Sequence, residues 1–365
     1  MAREPEAGTR LVSTGARILI TGGAGFIGSA AVRYAIALGH HVLNLDALTY
    51  AGDLETVRAV ESAAGYAFEQ LDITDRVALA ASVERFAPDI ILHFAAETHV
   101  DRSIDQPNQF VATNVVGTAN LLDAALAYYD GLTAERQAGF RLVHISTDEV
   151  FGSLSDEGRF DETTPYDPSS PYSASKAASD HLCRAWHRTY GLPVLITNCS
   201  NNFGPYQHPE KLIPTVVRTA LAGVEIPLYG SGSNVRDWLY VEDHVAAIFE
   251  VLNAGTPGET YCIGGGNEKS NLQMVTAICE ILDEQCAAPA GGFSSQITSV
   301  EDRPGHDYRY AIDNAKLIAA TDWSPSASFA ERLQETVRWF VNHPGWLEKS
   351  SGRLGLRNTA NQEMV

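Results

Sequence analysis

Cysteine is scarce in this chain and follows no metal-binding or disulfide pattern. The 365 residues include five cysteines, Cys183, Cys199, Cys262, Cys279 and Cys286, and none of them forms a C-x-x-C pair. Their odd number and wide spacing favour reduced, mostly buried thiols in a cytoplasmic protein. The histidines are scattered and no H-E-x-x-H motif occurs, so we expect no metal site.

Long apolar runs and an excess of basic residues are also lacking. No apolar stretch approaches the ~20 residues that cross a bilayer, so we expect no membrane span. Lys and Arg number 26 against 45 Asp and Glu, a net charge of −19. This charge argues against nucleic-acid binding, which needs a basic surface. The start lacks the apolar core of a signal peptide, and we interpret residues 1–15 and 350–365 as loose termini.

Short β-branched runs alternate with helical patterns over the first 200 residues. Strands are predicted at 17–20, 41–45, 66–70, 89–94, 141–146 and 194–198, and helices at 26–38, 53–62, 75–86, 106–128 and 171–190. Such a βαβ series is typical of a parallel, doubly wound sheet with right-handed crossovers. Ligands of such sheets bind beyond the carboxyl ends of the strands. The predicted fold is therefore α/β, with a Rossmann domain over residues 16–200.

The pattern loosens after residue 200, where Gly, Pro and Asn become frequent. Short strands are predicted at 226–229, 238–240, 260–263 and 297–300, and helices at 209–221, 241–252, 271–283 and 329–341. We interpret residues 201–345 as a smaller, interleaved α/β domain that binds mainly the substrate at the open end of the sheet. The strands near 237–264 are candidates to return to the first domain.

A glycine-rich turn joins the first predicted strand to the first helix. The segment TGGAGFIG, Thr21–Gly28, places Gly22, Gly25 and Gly28 where a dinucleotide fold needs a tight turn, a close approach to a pyrophosphate and helix packing. Asp46 ends the second strand, where a carboxylate accepts hydrogen bonds from ribose hydroxyls and repels a 2′-phosphate. The next residue is alanine rather than arginine, so the pattern favours NAD over NADP.

Two later segments offer weaker cofactor signals. Asp72 and Ile73 follow the third strand and could flank an adenine, although Asp72 alone fits the start of a helix equally well. Phe94, Ala95 and Ala96 follow the fourth strand and supply small side chains where a dinucleotide passes close to the backbone. Small residues also suit tight helix packing, so both interpretations remain open here.

The strongest chemical signal lies between residues 147 and 176. Tyr172 and Lys176 are four residues apart, so both lie on one helix face, and a nearby ammonium favours the phenolate. Such a tyrosine can take a proton from an alcohol. Asp148 and Glu149 follow Thr147 at the end of a strand and add two carboxyl groups, which suggests proton abstraction from carbon and loss of water. For both carboxyl groups to reach one substrate, the chain must leave the sheet after Thr147.

Several segments together resemble a known family. They are Thr21–Gly28, Asp46, Ala95–Ser103, Ser146–Gly152, Tyr172–Leu182, Asn198–Pro214, Arg236–His244, Asn267–Asn271 and Asp302–Asp307. The chain resembles the extended short-chain dehydrogenase/reductases, and within them the NAD-dependent nucleotide-sugar 4,6-dehydratases. The resemblance covers about residues 16–345. Thr98 and Phe203 depart from the usual Ser and Tyr without altering the chemistry.

The resemblance implies a redox cycle with NAD as a tightly bound cofactor that each turnover regenerates. Tyr172 takes the proton of the hydroxyl on carbon 4 of the sugar, Lys176 lowers the pKa of Tyr172 and binds nicotinamide ribose, and Thr147 binds the same hydroxyl. Glu149 removes the hydrogen on carbon 5, and Asp148 protonates the hydroxyl that leaves carbon 6. The implied product is a 4-keto-6-deoxy sugar nucleotide. dTDP-glucose is the favoured substrate, with a uridine nucleotide as the alternative.

The resemblance also assigns further binding residues. Additional cofactor contacts are implied for Phe26, Ile27, Leu48, Thr49, Thr98, Thr113, Tyr172, Lys176 and Asn202. Substrate contacts are implied for Thr98, Thr147, Asn201, Lys211, Leu212, Pro227, Tyr229, Arg236, Asn271, Arg303 and His306. Arginine suits a diphosphate through its planar fork, so Arg236 and Arg303 are the main phosphate candidates.

The family usually pairs two subunits through helices such as 106–128 and 171–190, so the resemblance implies a homodimer. Three other functions share parts of this pattern: a nucleotide-sugar 4-epimerase, a decarboxylase of the same group, and a cofactor-sensing protein without catalysis. The Asp148–Glu149 pair separates the main interpretation from a 4-epimerase, because epimerisation needs no proton abstraction from carbon 5.

Overall fold

A computed structural model describes residues 14–302 and 305–349 of the chain. The loose termini predicted at 1–15 and 350–365 fall outside these ranges, apart from a turn at residues 14 and 15. The substrate residue predicted at Arg303 also lies outside the described residues.

The strands follow the predicted order closely. They are β1 Arg17–Thr21, β2 His41–Asp46, β3 Tyr66–Gln70, β4 Ile90–His93, β5 Arg141–Thr147, β6 Val194–Cys199, β7 Asn201–Phe203, β8 Ile226–Tyr229, β9 Val235–Tyr240, β10 Thr260–Ile263, β11 Glu268–Ser270 and β12 Ile297–Val300. Seven of them form one sheet in the order β10-β6-β5-β4-β1-β2-β3. All six pairings in it are parallel. The predicted class, a doubly wound parallel Rossmann sheet, is confirmed.

Helices fill most of the connections. They are α1 Phe26–Ala37, α2 Arg76–Phe86, α3 Val100–Asp105, α4 Pro107–Phe110, α5 Thr118–Asp130, α6 Ala134–Gly139, α7 Pro171–Tyr190, α8 Leu212–Leu221, α9 Val241–Ala254, α10 Asn271–Gln285, α11 Ala315–Ala320, α12 Phe329–Asn342 and α13 Pro344–Glu348. Short 3₁₀ turns occur at Leu54–Val60, Asp148–Phe151 and Phe293–Gln296. The short helix predicted at 53–62 is the first of these turns.

The predicted helix over 106–128 differs from the structure in one respect. A π-helical turn, Val111–Gly117, separates α4 from α5. Such turns contain one extra residue and occur frequently at functional sites. A Cβ on Gly117 would lie 2.6 Å from the Ile73 side chain, so α5 passes very close to the chain after β3. The hydrophobic periodicity of this segment could not reveal the extra residue of the π turn, because apolar side chains continue on both sides of the turn.

The same helical stretch, Pro107–Asp130, is long and apolar enough by length and composition to cross a membrane, contrary to the expectation that no stretch reaches this length. Half of its most apolar window is buried inside the protein. The core helix of a soluble protein meets the same criterion, so this single helix is weak evidence for a span.

The central sheet separates two apolar layers. On one face Leu19, Ile91 and Leu142 pack with α2 and α5. On the other face Ile18, Ile20 and Val143 pack in one core with residues of α1 and α9. Alternate strand residues point to opposite faces, so both faces of each central strand are apolar, as in a parallel sheet covered on both sides.

The chain divides into two compact units. The first comprises residues up to 202, 236–268 and 307–326, and it contains the seven-stranded sheet. The described part of the second comprises residues 203–235, 269–302, 305–306 and 327–349. In the second unit, β8 and β12 pair in parallel and α8, α10 and α12 pack against one another. The short strands β7, β9 and β11 form a separate three-stranded sheet.

Candidate active site

The glycine-rich turn is shaped by close backbone approaches. Gly22 has φ +72°, and a Cβ there would lie 2.6 Å from the Ala95 nitrogen. A Cβ on Gly28 would lie 2.1 Å from the Gly22 carbonyl oxygen. The N-cap residue of α1 is Gly25, which has no side chain to bond the first amides of the helix. These amides and the helix dipole form a cradle suited to a pyrophosphate.

Asp46 lies beside this turn at the end of β2. Its Oδ2 accepts a hydrogen bond from the Ala24 amide at 2.9 Å, and its Oδ1 accepts one from the Leu48 amide at 2.8 Å. Burial raises the pKa of the carboxyl group, and the two amide bonds partly oppose that rise. Leu48 has φ +53°, so the chain turns sharply after the carboxylate. This arrangement fits the recognition of a ribose and agrees with the preference predicted for NAD.

The other predicted cofactor residues lie in several separate segments of the chain. Asp72 accepts a hydrogen bond from the Thr74 amide at 2.8 Å in the turn before α2, whose N-cap is Asp75. Phe94 donates its amide to the Thr21 carbonyl, and Ala95 lies against Gly22. Phe26, Ile27, Ala96, Thr98, Thr113 and Asn202 are half-buried, Ile73 is buried and Thr49 is exposed. Among these residues, the segments around Gly22 and Ala95 lie in direct contact.

The chain leaves the sheet after Thr147, as the chemistry requires. β5 ends at Thr147, and a 3₁₀ turn begins at Asp148. The Thr147 hydroxyl accepts a hydrogen bond from the Glu149 amide and donates one to Asp148 Oδ1, both at 3.3 Å. The turn therefore frees Asp148 and Glu149 from the alternation of the strand.

Asp148 has the environment of a protonated carboxylic acid. It is 2% exposed. Burial raises its pKa well above the usual value, and the neighbouring carboxylates of Glu149 and Asp237 raise it further. Arg236 and a hydrogen bond from Thr147 oppose the rise but do not reverse it. A raised pKa favours the protonated form, which can donate a proton to a leaving group.

Tyr172 and Lys176 lie on α7 as predicted, and both are buried. Pro171 begins the helix, and Ser170 caps it with reciprocal bonds to Ser173 at 3.0 and 3.1 Å. Lys176 Nζ donates to the Ile145 carbonyl at 2.8 Å.

In the ligand-free protein burial dominates the pKa of Tyr172, and the lowering effect implied for Lys176 stays a prediction. Burial raises the pKa of Tyr172 well above the usual value, and the Glu149 carboxylate raises it further. Lys176 is not among the main influences on Tyr172, and a Thr147 hydrogen bond is the main lowering one. Desolvation of a buried phenol outweighs the attraction of an ammonium that already bonds a carbonyl.

Arg236 lies near these acids, in a setting that differs from an open phosphate site. It is 6% exposed. Its guanidinium donates to the Asp307 and Tyr308 carbonyls at 3.0 and 3.3 Å and lies 4.2 Å from the centre of the Tyr310 ring. Arg236 thus contacts residues 307–310. Its positive charge is the main influence that lowers the pKa of Asp148. Asn201, the other substrate candidate of the first unit, begins β7 and is half-buried.

The remaining substrate candidates belong to the second unit. Lys211 and Leu212 stand at the start of α8, Pro227 and Tyr229 lie on β8, and Asn271 begins α10. The structure brings together Tyr229 and His306, whose rings meet edge to face at 6.4 Å. His306 Nδ1 lies 2.7 Å from Asp302 Oδ1.

Two buried polar residues behind the site, Asn114 and Asp180, are not among the predicted site residues. Asn114, in the π turn, donates to Ser175 Oγ at 2.8 Å and to the Glu97 carbonyl at 3.0 Å. Asp180 is fully buried, four residues after Lys176 and eight after Tyr172. The repeat at 172, 176 and 180 places all three on one helix face and could have identified Asp180.

The sheet, the glycine-rich turn and the Tyr172/Lys176 helix define a protein of the extended short-chain dehydrogenase/reductase class. A family model described as GDP-mannose 4,6 dehydratase matches residues 19–336. A probable dTDP-glucose 4,6-dehydratase of Sinorhizobium fredii is 51% identical over 350 residues, 94% of this chain and 100% of that protein. The chain belongs to the family of dTDP-glucose 4,6-dehydratases.

Solved structures agree with this assignment. The dTDP-glucose 4,6-dehydratase of Streptomyces venezuelae, solved with NAD and TYD bound, has a TM-score of 0.82 and 45% identity, with 91% of this chain and 99% of that chain covered. A UDP-glucose 4-epimerase of Thermotoga maritima has a TM-score of 0.80 but 26% identity, with 90% and 99% covered. The fold is therefore shared with epimerases, whereas the identity is higher for the dehydratase. The expected cofactor, NAD, is confirmed for this family.

Proposed function

We propose that the chain converts dTDP-glucose to dTDP-4-keto-6-deoxyglucose and water. The observation that carries the proposal is the turn after Thr147, which places the buried Asp148, whose pKa is raised, next to Glu149; both carboxyl groups influence the pKa of Tyr172. Oxidation of a hydroxyl needs only the tyrosine and lysine. The acid and the carboxylate beside them supply a proton donor and a proton acceptor for elimination.

Each catalytic side chain has one task in this proposal. Tyr172 takes the proton of the hydroxyl on carbon 4, which Thr147 also binds, and Lys176 supplies positive charge beside it. Glu149 removes the hydrogen on carbon 5, which the neighbouring ketone has made acidic. Asp148 donates its proton to the hydroxyl that leaves carbon 6. When bound, NAD would carry a hydride from carbon 4 to carbon 6. A proton returns to carbon 5, and proton exchange restores the protonated Asp148 and the proton-accepting Tyr172, so that the net loss is one water.

The residues around the glycine-rich turn fit a dinucleotide. Close backbone approaches leave no room for a side chain at Gly22 or Gly28, and the Asp46 carboxylate lies beside the turn, bonded to the Ala24 amide. The contacts predicted for the other cofactor residues, and for the substrate residues from Thr98 to His306, remain proposals. The role of residues 201–345 in substrate binding also remains a proposal.

An isotope experiment tests the reaction. Incubation of the NAD-bound protein with dTDP-glucose carrying deuterium on carbon 4 should give a product 18 mass units lighter that carries the deuterium on carbon 6. Recovery of an epimer of the substrate mass would establish the 4-epimerase instead. A panel with UDP-glucose and GDP-mannose then tests the choice of nucleotide.

Replacement of Glu149 tests the role of the base. Glu149→Gln should slow elimination by about 10²-fold or more, because the amide cannot accept the proton, while the substrate still binds. The control is Glu84→Gln, an exposed position on α2 that should leave the rate unchanged. Normal elimination in the Glu149 variant would exclude this residue as the base.

We also propose that two copies pair through α5 and α7, the helices that the resemblance implies. The two helices pack together and the π turn packs against both; Val111 and Val116 on that turn and Tyr190 at the end of α7 are about half exposed. Val116→Lys should therefore shift the protein from a dimer towards a monomer of 39.4 kDa in light scattering. Val77→Lys, at an 80% exposed position on α2, is the control. A wild-type monomer would exclude the dimer.

The cytoplasm is the compartment we propose. Four of the five cysteines are buried and all five are free thiols, which suits a reducing compartment. Cell fractionation with an antibody against the chain would test this location.

A further inference from the structure

Asp180 is the centre of a polar network behind the active site. It lies on the inner face of α7 and is fully buried. Its Oδ2 accepts hydrogen bonds from Ser146 Oγ at 2.9 Å, Tyr166 OH at 2.8 Å and Asn198 Nδ2 at 3.3 Å. Burial of a carboxylate costs free energy unless hydrogen-bond donors satisfy its oxygens. The three donors that converge on Asp180 therefore form a site suited to a negative charge.

One branch of the network reaches the end of β5. The Asn198 amide that contacts Asp180 also donates to the Thr147 carbonyl at 2.9 Å. Thr147 and Asn198 lie on the paired strands β5 and β6, one step out of register. The carboxylate of Asp180 therefore orients the amide that holds Thr147, the residue after which the chain leaves the sheet.

The other branch reaches Lys176. The His144 Nε2 atom lies 3.1 Å from Asp180 Oδ1 and 3.5 Å from Lys176 Nζ. The imidazole is therefore in contact with both the carboxylate and the ammonium. Burial lowers the pKa of His144 to about 4, so the ring is neutral near pH 7. The charge that can balance the Lys176 ammonium is then that of Asp180.

The pKa shifts of Asp180 and Lys176 agree with this arrangement. His144 and Lys176 lower the pKa of Asp180 against the effect of burial, so the group is ionised near pH 7. Burial lowers the pKa of Lys176, and Asp180 is the main group that opposes the fall. The other titratable or charged groups that face this cluster are His93 on β4, Cys199 on β6, Tyr166 before α7, and Cys183 and Arg184 on α7.

We propose that Asp180 is a positioning residue with two tasks in the proposed dehydration, on which this inference rests. Its carboxylate, next to the neutral His144 ring, keeps the buried Lys176 ammonium charged. Through Asn198 it also fixes the end of β5, which presents Thr147 to the substrate. Asp180 itself touches neither substrate nor cofactor in this proposal.

The first task is tested by titration of Lys176. The chain contains five lysines, so protein labelled with ¹³C at lysine Cε gives few signals, and Lys176→Arg assigns the one of interest. In the NAD-bound protein, Asp180→Asn should lower the titration midpoint of Lys176 by about 1 pH unit or more, because an opposite charge is removed. Tyr166→Phe removes a hydrogen bond to the same Oδ2 but keeps the charge, and it should leave the midpoint unchanged.

The second task is tested by turnover. Asn198→Ala breaks the connection from Asp180 to Thr147, and it should lower kcat about 10-fold or more with KM nearly unchanged, because the reacting groups lose their alignment. The Lys176 midpoint should stay at the wild-type value in this variant. Tyr166→Phe should retain kcat, which separates alignment of Thr147 from a general loss of packing.

Several outcomes would overturn the inference. An unchanged Lys176 midpoint in Asp180→Asn rejects the first task, and wild-type kcat in Asn198→Ala rejects the second. If Asp180→Asn does not fold, the wild-type titration still decides, since a Lys176 midpoint below pH 7 means that no effective counter-charge is present. Absence of dehydration by the wild-type protein would reject the proposed function, whereas the Lys176 titration would still test Asp180.

Discussion

A Cβ atom on Gly28 would lie 2.1 Å from the carbonyl oxygen of Gly22. The first turn of α1 and the end of β1 can therefore meet only where residue 28 has no side chain. Gly28→Ala should push α1 away from the turn, reducing the NAD content of the purified protein and its melting temperature. Gly139→Ala, at a site with no atom within 4 Å of the new Cβ, is the control. Full NAD content in Gly28→Ala would contradict the cofactor assignment.

Replacement of Asp46 by Asn should weaken the binding of NAD. The carboxylate accepts two backbone N–H groups with its two oxygens, and an amide can accept only one of them. Loss of a buried acceptor costs about 1–3 kcal/mol, so the Kd for NAD should rise by about 10-fold. Calorimetry on NAD-free protein measures this. Asp75→Asn, at the N-cap of α2, should leave the Kd unchanged.

Asp148→Asn should lower activity and raise stability together. The amide cannot transfer a proton, so kcat should fall by about 10²-fold or more. The wild-type rate should fall as pH rises through the raised pKa of Asp148, because the acid form is the active one. Mass-spectrometric turnover assays from pH 5 to 10 would measure both effects.

The stability change has a defined sign. The folded protein holds the Asp148 proton more tightly than the unfolded chain, so ionisation at higher pH destabilises the fold. The loss of stability begins above pH 3.8, the ordinary pKa of an aspartate, and increases with pH until the raised pKa of Asp148 is reached. Asp148→Asn should therefore melt about 2 °C or more higher at pH 8, with the difference shrinking towards pH 4. An equal melting temperature at pH 8 would show that Asp148 is not a buried acid.

The capping box of α7 should support both stability and catalysis. Ser170→Ala removes the side-chain bond to the Ser173 amide and should cost about 1 kcal/mol of unfolding free energy. Because Tyr172 is the second residue of α7, fraying should also lower kcat. Ser328→Ala removes the matching cap of α12 and should cost similar stability with kcat unchanged. Unfolding in urea and turnover assays separate the two effects, and equal kcat losses would contradict the link to Tyr172.

The sequence by itself determined the sheet and the chemical groups. The central strands are continuous apolar runs bounded by turns, so their period and length identified a parallel sheet without any tertiary information. The spacing of Tyr172 and Lys176 and the order Thr147-Asp148-Glu149 depend only on local geometry, and the structure keeps both. The structural role of Gly22 and Gly28 could be predicted because only glycine tolerates such a close approach of backbone segments.

Tertiary structure alone decided the charge states and the supporting network. Whether a carboxyl or phenol is ionised depends on burial and on neighbours distant in sequence, so the raised pKa values of Asp148 and Tyr172 could not be derived from spacing. Asp180 meets Ser146 and Asn198 only because α7 packs on β5 and β6. The chemistry is thus encoded locally, whereas the environment that tunes it arises from contacts across the fold.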